Sequence, residues 1–191
     1  MWRVQTADDA EAFAQLMRRW EGPLRNLGTR MTGDAHRAQD LAQETFARLY
    51  ARRARYEQSG KFSTYLWRIA LNVCYDELRR QGRRRECSLD DEANAAVLDL
   101  HSDSSGPPPS AALEAREQAD QVREALLRLP EGYRSVLVLR HYENLKFREI
   151  AEVLDIPEGT VKSRMSEGLN ILGRLLRPLR LGGVEVKESS L

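Results

Sequence analysis

With 191 residues, 41% hydrophobic and 31% charged side chains and a net charge of +1, the chain can hold one large domain or two small ones and is too apolar for a disordered polymer. Its 3 histidines and 2 cysteines show no metal-ligand spacing, which excludes a zinc module or a disulfide scaffold, and no cofactor or metal is expected. The apolar run SVLVL is far short of a membrane span, and MWRVQTADDAEAF carries acids where a secretory leader needs cations, so cytoplasmic residence without membrane insertion is the expectation.

Along the chain, helical periodicity dominates and strand alternation is absent. Phe13, Leu16, Met17 and Trp20 recur at the spacing of a buried helix face. Gly22-Pro23 is expected to kink that helix or to begin a new one with Pro23 in its first turn. Gly33-Asp34 reads as a helix stop followed by an N-cap. The next helix buries Ala38, Leu41, Ala42, Thr45, Phe46 and Leu49 and turns Asp40, Gln43, Glu44 and Arg48 the other way. After YEQSGKFST a third long helix buries Leu66, Ile69, Ala70, Val73 and Leu78, with Thr64, Arg68, Asn72, Tyr75 and Arg79 as a ladder on a different face.

The near-zero net charge hides a polarised chain. Between Arg48 and Arg85 the only acids are Glu57, Asp76 and Glu77, among many arginines. From Glu86 to Pro109 the sign reverses, with Asp90, Asp91, Glu92, Asp99 and Asp103 and no lysine or arginine. DSSGPPPS cannot continue a helix, so 86–111 reads as an acidic, mostly unstructured linker.

Beyond it, Leu113, Ala119, Val122, Ala125, Leu126 and Leu129 form another amphipathic helix, stopped by PEG. Val136, Leu137 and Leu139 continue in a second helix, and ENLK turns the chain. Phe147, Ile150, Ala151 and Leu154 make a short helix; DIP turns again, with Asp155 where glycine is usual; Val161, Met165, Leu169 and Leu172 mark the last helix. A short helix, a tight turn and a longer helix form a helix-turn-helix. The fold class is all-α, with two helical domains joined by the acidic linker.

GDAHRAQDLAQETFARLY, FSTYLWRIALNVCYDELRRQGRR and LRLPEGYRSVLVLRHYENLKFREIAEVLDIPEGTVKSR, in that order, resemble bacterial RNA polymerase sigma factors of the extracytoplasmic-function (ECF) group of the sigma-70 family over about residues 10–177. The resemblance implies sigma domain 2 at 10–85, the linker at 86–111, sigma domain 4 at 112–178 with its helix-turn-helix at about 147–166, and a polar tail at 179–191. It implies binding to core RNA polymerase and to promoter DNA, and control by an anti-sigma factor.

By the same resemblance Asp40, Leu41, Gln43, Glu44 and Arg48 lie in the segment that binds polymerase. Lys61, Phe62, Ser63, Tyr65, Trp67, Arg68, Asn72, Arg79 and Arg80 lie in the segment that opens and reads the minus-ten element. The residue types suit melting, because escaping bases need aromatic platforms and phosphates need cations. Phe62 and Tyr65 fit a core role equally well, and Arg83 to Arg85 fit a solvated basic tail. Arg140, Thr160, Lys162, Ser163, Arg164, Ser166 and Glu167 fall where the family contacts the minus-thirty-five element. Glu167 stands where another base is usual: either it accepts from a cytosine amino group, or it turns outward and holds Arg164. A freestanding helix-turn-helix regulator is the alternative; it leaves DLAQETF and the aromatic-basic helix without a role. No carboxylate pair, Cys/His set or phosphate-cradling glycine loop speaks for an enzyme.

Overall fold

The computed structural model describes residues 1–57, 60–88 and 110–181. Among the described residues there are eight α-helices, one 3-10 turn and no strand: α1 (Trp2–Ala7), α2 (Ala10–Thr32), α3 (Ala35–Ala51), the 3-10 turn Arg53–Arg55, α4 (Phe62–Ser88), α5 (Ser110–Leu127), α6 (Glu131–His141), α7 (Phe147–Leu154) and α8 (Glu158–Leu181). Most of the linker, 89–109, and the end of the tail, 182–191, lie outside the described residues.

Two aspartates separate the first two helices. Asp8 ends α1 in the left-handed conformation at φ 48, and the Asp9 side chain accepts the Ala12 N–H at 2.9 Å as the N-cap of α2. Sequence periodicity does not disclose α1, which is too short to show a repeat. Val4 nevertheless anchors it in the core, and the Gln5 amide donates to the carbonyls of Ala54 and Tyr56.

Gly22-Pro23 does not begin a new helix: α2 continues through both as one helix of 23 residues. Proline withdraws one N–H from the ladder, and the carbonyl it orphans is that of Arg19. Arg19 and Gly22 are exposed and Pro23 is only half-buried, so water can satisfy it. The helix stops at Gly33, where φ is 82, and Asp34 then caps α3 by accepting the Arg37 N–H at 2.8 Å. Gly33 also serves packing. A Cβ there would stand 2.8 Å from Leu127 Cδ1, so the turn is where the second half of the chain presses on the first.

α3 buries the six residues expected of it. α4 buries more than one stripe, because Trp67, Leu71, Cys74 and Glu77 join Leu66, Ile69, Ala70 and Val73 below the surface. A helix hidden on more than one side has neighbours on more than one side. α4 packs against α2 and α3, and also against α7. Burial pushes the Cys74 thiol up to about 12, so it acts as a small apolar side chain rather than a nucleophile.

The second half is built around α6. Arg134, Ser135, Val136, Leu137, Val138 and Leu139 are consecutive and all buried, which in a helix means cover on every side. The cover comes from α8, α7 and α2. Buried side chains of α2, α3 and α4 and of α6, α7 and α8 form one continuous cluster, in which Leu24, Leu66 and Val73 share a core with Val136, Ile150 and Val161. Arg134 crosses the seam, donating to the carbonyls of Leu127 at 2.6 Å and Leu129 at 2.8 Å and to that of Met31 at the end of α2. Asp155 turns α7 into α8 at φ 54, as its residue type allows.

One expected core position on α8 moves. Leu169 is 44% exposed, and Gly168 faces the core instead. A Cβ at Gly168 would lie 3.2 Å from Leu137 Cδ1 and 3.4 Å from Tyr133 Cβ, so the glycine sets how closely α8 approaches α6.

Trp67 is only 4% exposed and packs edge-on against Trp20, with ring centroids 5.5 Å apart. It is a core residue of the first half, and no base reaches it without unpacking that core. Trp67→Ala should therefore cost about 3–5 kcal/mol of stability, seen as a lowered thermal midpoint in circular dichroism with all DNA absent. A normal midpoint would return Trp67 to a purely functional role.

Candidate polymerase and nucleic-acid interface

The acids of α3 are displayed rather than buried. Asp40 is 63% and Glu44 50% exposed, and Gln43 is exposed beside them. Leu41, expected with them, is 6% exposed and belongs to the core. Two arginines hold the acids in place. Arg37 bonds Asp40 at 3.0 Å and Glu77 of α4 at 3.0 Å. Arg48 bonds Glu44 at 2.8 Å and Asp76 of α4 at 2.8 Å. Each guanidinium thus joins one outward carboxylate of α3 to one carboxylate of α4. Arg48 is a staple between helices rather than a free contact. Arg37 is not among the residues expected from the sequence; its spacing to Asp40 is a local signal, but Glu77 lies 40 residues away.

The Glu77 side chain is almost wholly buried. The hydrogen bond from Arg37 holds its carboxyl below the ordinary glutamate value, against the opposing pull of desolvation.

Apart from Trp67, the expected minus-ten residues divide into four pairs. Phe62 packs edge-on against Trp20 and Tyr56, and Tyr65 lies tilted against Tyr56 at 5.2 Å, so both are half-buried around one aromatic cluster. Ser63 is half-buried and Asn72 exposed. Arg79 and Arg80 are exposed and pair loosely with Asp76 at 3.7 Å and Glu77 at 3.8 Å. Lys61 and Arg68 form the fourth pair, and both reach the second half of the chain. Lys61 pairs with Glu149 of α7, and Arg68 donates to the carbonyl of Glu152.

Between α4 and α7 lies an open cleft lined by Lys61, Thr64, Tyr65, Arg68, Glu149 and Glu152. The Thr64 hydroxyl is buried at its wall without a partner among the described residues. Glu149 also caps its own helix by accepting the Lys146 N–H at 2.8 Å. The hydrogen bond from Lys61, ahead of that from Lys146, holds its carboxyl below the ordinary range.

On α8, Lys162 is 59% exposed and bonds Glu158 at 2.7 Å. Ser163 donates to the Thr160 carbonyl at 3.0 Å, and the Thr160 N–H is already bonded to Pro157 at 2.9 Å. Ser166 and Glu167 are exposed. Arg164 turns back over the start of α6, where a Cβ on Gly132 would lie 3.5 Å from its Nη1. Glu167 does not hold it: the carboxylate pairs with Arg174 at 3.6 Å, further along the helix. Arg140 braces the turn before α7, donating to the Leu145 carbonyl at 3.0 Å with its guanidinium 5.1 Å from the centre of the Phe147 ring.

The sigma-70 region 2 family model matches residues 16–84 and the sigma-70 region 4 family model matches 119–172, so both halves just described are covered. The ECF RNA polymerase sigma factor SigW of Bacillus subtilis is 36% identical over 174 residues, 90% of this chain and 92% of that one. The chain belongs to the ECF group of sigma factors. RNA polymerase sigma-H factor of Pseudomonas aeruginosa is 33% identical, across 93% of this chain and 92% of that one. Among solved structures, the sigma factor RpoE in complex with the anti-sigma factor NepR from Bartonella quintana aligns with a TM-score of 0.68 at 22% identity, over 88% of this chain and 98% of that one, which establishes a common fold.

In this sigma factor the described residues contain no helix long and apolar enough to cross a membrane and no group of side chains arranged to hold a metal ion.

The Glu77 pair makes stability pH-dependent with a definite sign. A carboxyl whose folded pKa is depressed contributes fully above its unfolded value, ordinarily 4.5, and loses that contribution as pH falls through the depressed one. Glu77→Gln should therefore cost about 1–3 kcal/mol at pH 7 and flatten the acid limb of the stability curve. Urea titrations from pH 7 to pH 3 check this; parallel curves for the two proteins would place the acid sensitivity elsewhere.

For Glu167, pairing with Arg174 means that Glu167→Ala leaves base preference unchanged in selection from a randomised minus-thirty-five duplex, while Glu167→Arg strengthens binding to every sequence and steepens its salt dependence. Relaxed preference at one base pair in Glu167→Ala would instead identify a cytosine contact worth about 1–3 kcal/mol.

Proposed function

We propose that this sigma factor is a dissociable specificity subunit of RNA polymerase, without catalytic activity of its own, that works in the cytoplasm. Its domains are taken as 10–85 for polymerase binding and the minus-ten element, 86–111 as linker, 112–178 for the minus-thirty-five element, and 179–191 as tail. Asp40, Gln43 and Glu44 present charge to polymerase, with Arg37 and Arg48 fixing their direction. Lys61, Arg68, Asn72, Arg79 and Arg80 meet the phosphates and bases of the minus-ten element, with Tyr65 at the edge of the aromatic cluster. Lys162, Ser163 and Ser166 face the minus-thirty-five duplex.

The observation that carries this reading is one arrangement within a chain of the ECF group: outward acids on α3, a cation ladder on α4 and a recognition helix in α8. A freestanding duplex-binding regulator would leave the first two without a role. Relatives of this fold have been solved bound to anti-sigma factors, among them RpoE with NepR. We infer that an anti-sigma partner controls this chain as well.

Asp40→Lys together with Glu44→Lys should weaken binding to core polymerase by at least about tenfold, or ~1.4 kcal/mol, while leaving helical content intact because both side chains stand outside the core. A fluorescence titration with core enzyme measures it. Unchanged affinity would remove the main support for this reading.

A further inference from the structure

The large aromatic side chains around the start of α4 are taken up by packing. Tyr56 and Trp67 are buried, and Trp20, Phe62 and Tyr65 are half-buried in the same cluster. Trp2 is the opposite case. At 61% it is the most exposed large hydrophobic side chain among the described residues, and the sigma reading leaves it without a role.

The position of Trp2 follows from how α1 is docked. Val4 is buried in the core, and the Gln5 amide donates to the carbonyls of Ala54 and Tyr56 at 3.3 and 2.9 Å. Asp8, just past the helix, pairs with Arg53 at 3.0 Å and accepts from the Tyr50 hydroxyl at 2.7 Å. The partners run in opposite order along the two segments: Asp8 meets Arg53, and Gln5 meets Ala54 and Tyr56. Trp2, one turn before Gln5, is therefore carried past Tyr56, toward the segment that enters α4 at Lys61. Positions 2 and 4 of a helix lie about 200° apart around its axis, so with Val4 inward the indole points out.

The surroundings are cationic. Arg53 is engaged by Asp8 and lies over the Tyr50 ring at 4.0 Å, but Arg52 before it and Arg55 after it are exposed. Two of the nearby acids are already engaged: Asp8 by Arg53 and Tyr50, and Asp9 by the Ala12 N–H and by Arg3 at 2.6 Å. Glu57 is an exposed acid at this end. An open indole beside open guanidiniums is the combination that holds a single strand, since bases stack on the ring and cations meet the phosphates.

From this placement we propose that Trp2 is a stacking platform for an unpaired base of promoter DNA beside the minus-ten segment, with Arg52 and Arg55 meeting the flanking phosphates. The proposal rests on the sigma reading and adds α1 and the 3-10 turn to the surface that holds the opened strand. It gives to Trp2 the base contact that Trp67, closed over by Trp20, cannot make. Every base has a face to stack, so Trp2 contributes affinity for the unpaired strand rather than sequence preference.

Trp2→Leu keeps an apolar side chain without a ring, and Trp2→Phe keeps a ring. Neither should lower the thermal midpoint, because position 2 is exposed. The probe is a short single-stranded DNA of randomised sequence, fluorescent for affinity and, in a second pool, substituted with 5-bromodeoxyuridine for photocrosslinking. Each full-length protein is assembled with core polymerase, and core polymerase alone sets the baseline.

Trp2→Leu should weaken the sigma-dependent binding by about fivefold or more, while Trp2→Phe keeps most of it. Arg52→Gln together with Arg55→Gln should weaken binding and lower its salt dependence. Irradiation of the parent holoenzyme should label the peptide that carries Trp2. Parent-like affinity in Trp2→Leu, an equal loss in Trp2→Leu and Trp2→Phe, or no label on that peptide would overturn the proposal. Weakened binding of Trp2→Leu to core polymerase would also overturn it, by making the indole a polymerase contact. Failure of the parent itself to bind core polymerase would instead overturn the sigma reading.

Discussion

A buried guanidinium needs acceptors, and the Nη groups of Arg134 find them at the ends of two helices, while its Nε–H has no partner among the described residues. The last carbonyls of a helix lack intrahelical donors and carry the negative end of its dipole. Met31 near the end of α2 and Leu127 and Leu129 around the end of α5 supply such groups to one side chain. Burial lowers the pKa of Arg134, but an arginine has far to fall before it loses its proton, so the site holds a charge and fixes its partners around it. Since Arg134 lies on the helix at the centre of the second half, the contact also fixes where α7 meets α4. A lysine could not reproduce this, because a single ammonium lacks the planar fork that serves carbonyls in different directions.

Once the halves are joined in this way, the charge pattern acquires a meaning that neither half has alone. The cations of α4 look like a DNA-binding stripe, yet Lys61 and Arg68 are engaged by α7, and Arg79 and Arg80 lean toward Asp76 and Glu77. Those acids in turn hold Arg48 and Arg37, which hold Glu44 and Asp40. Apart from the buried Glu77 pair, surface pairs of this kind each contribute little to stability. Their effect lies in direction: they keep carboxylates outward on α3 and cations ordered on α4, while the hydrophobic cluster beneath supplies most of the cohesion.

How much of the fold and the site is legible in the sequence depends on whether a feature is local. Gly33 and Asp34 form a stop and a cap because backbone and side-chain geometry within a few residues decide it, and Asp155 works as a left-handed turn residue for the same reason. The buried stripe of α3 is legible because a single row of apolar side chains meets other helices of its own half. Features that depend on distant neighbours are not. Trp67 suits base capture by residue type, being an aromatic beside cations, but Trp20 from α2 closes over it. The roles of Glu149 and Arg134 carry no sequence signature, since their partners lie 88 and 103 residues away. Function is legible through the resemblance of ordered segments; the closure of the two halves is not.

The acid at position 167 illustrates how packing narrows a reading surface. In a helix of about 3.6 residues per turn, residues three and four apart share a face. Gly168 must face α6 because no side chain fits comfortably between it and Leu137, and this fixes the rotation of α8 about its own axis. Arg164, one turn earlier, is carried to the same side and settles over Gly132 instead of projecting into a groove. Ser163, Ser166, Glu167 and Asn170 are left facing outward. Of these, only Glu167 is charged, and Arg174 already engages it. The close fit at Gly168 thus sets which side chains of α8 face outward: Lys162 and the two serines stand exposed together, while Glu167 beside them has a partner of its own in Arg174.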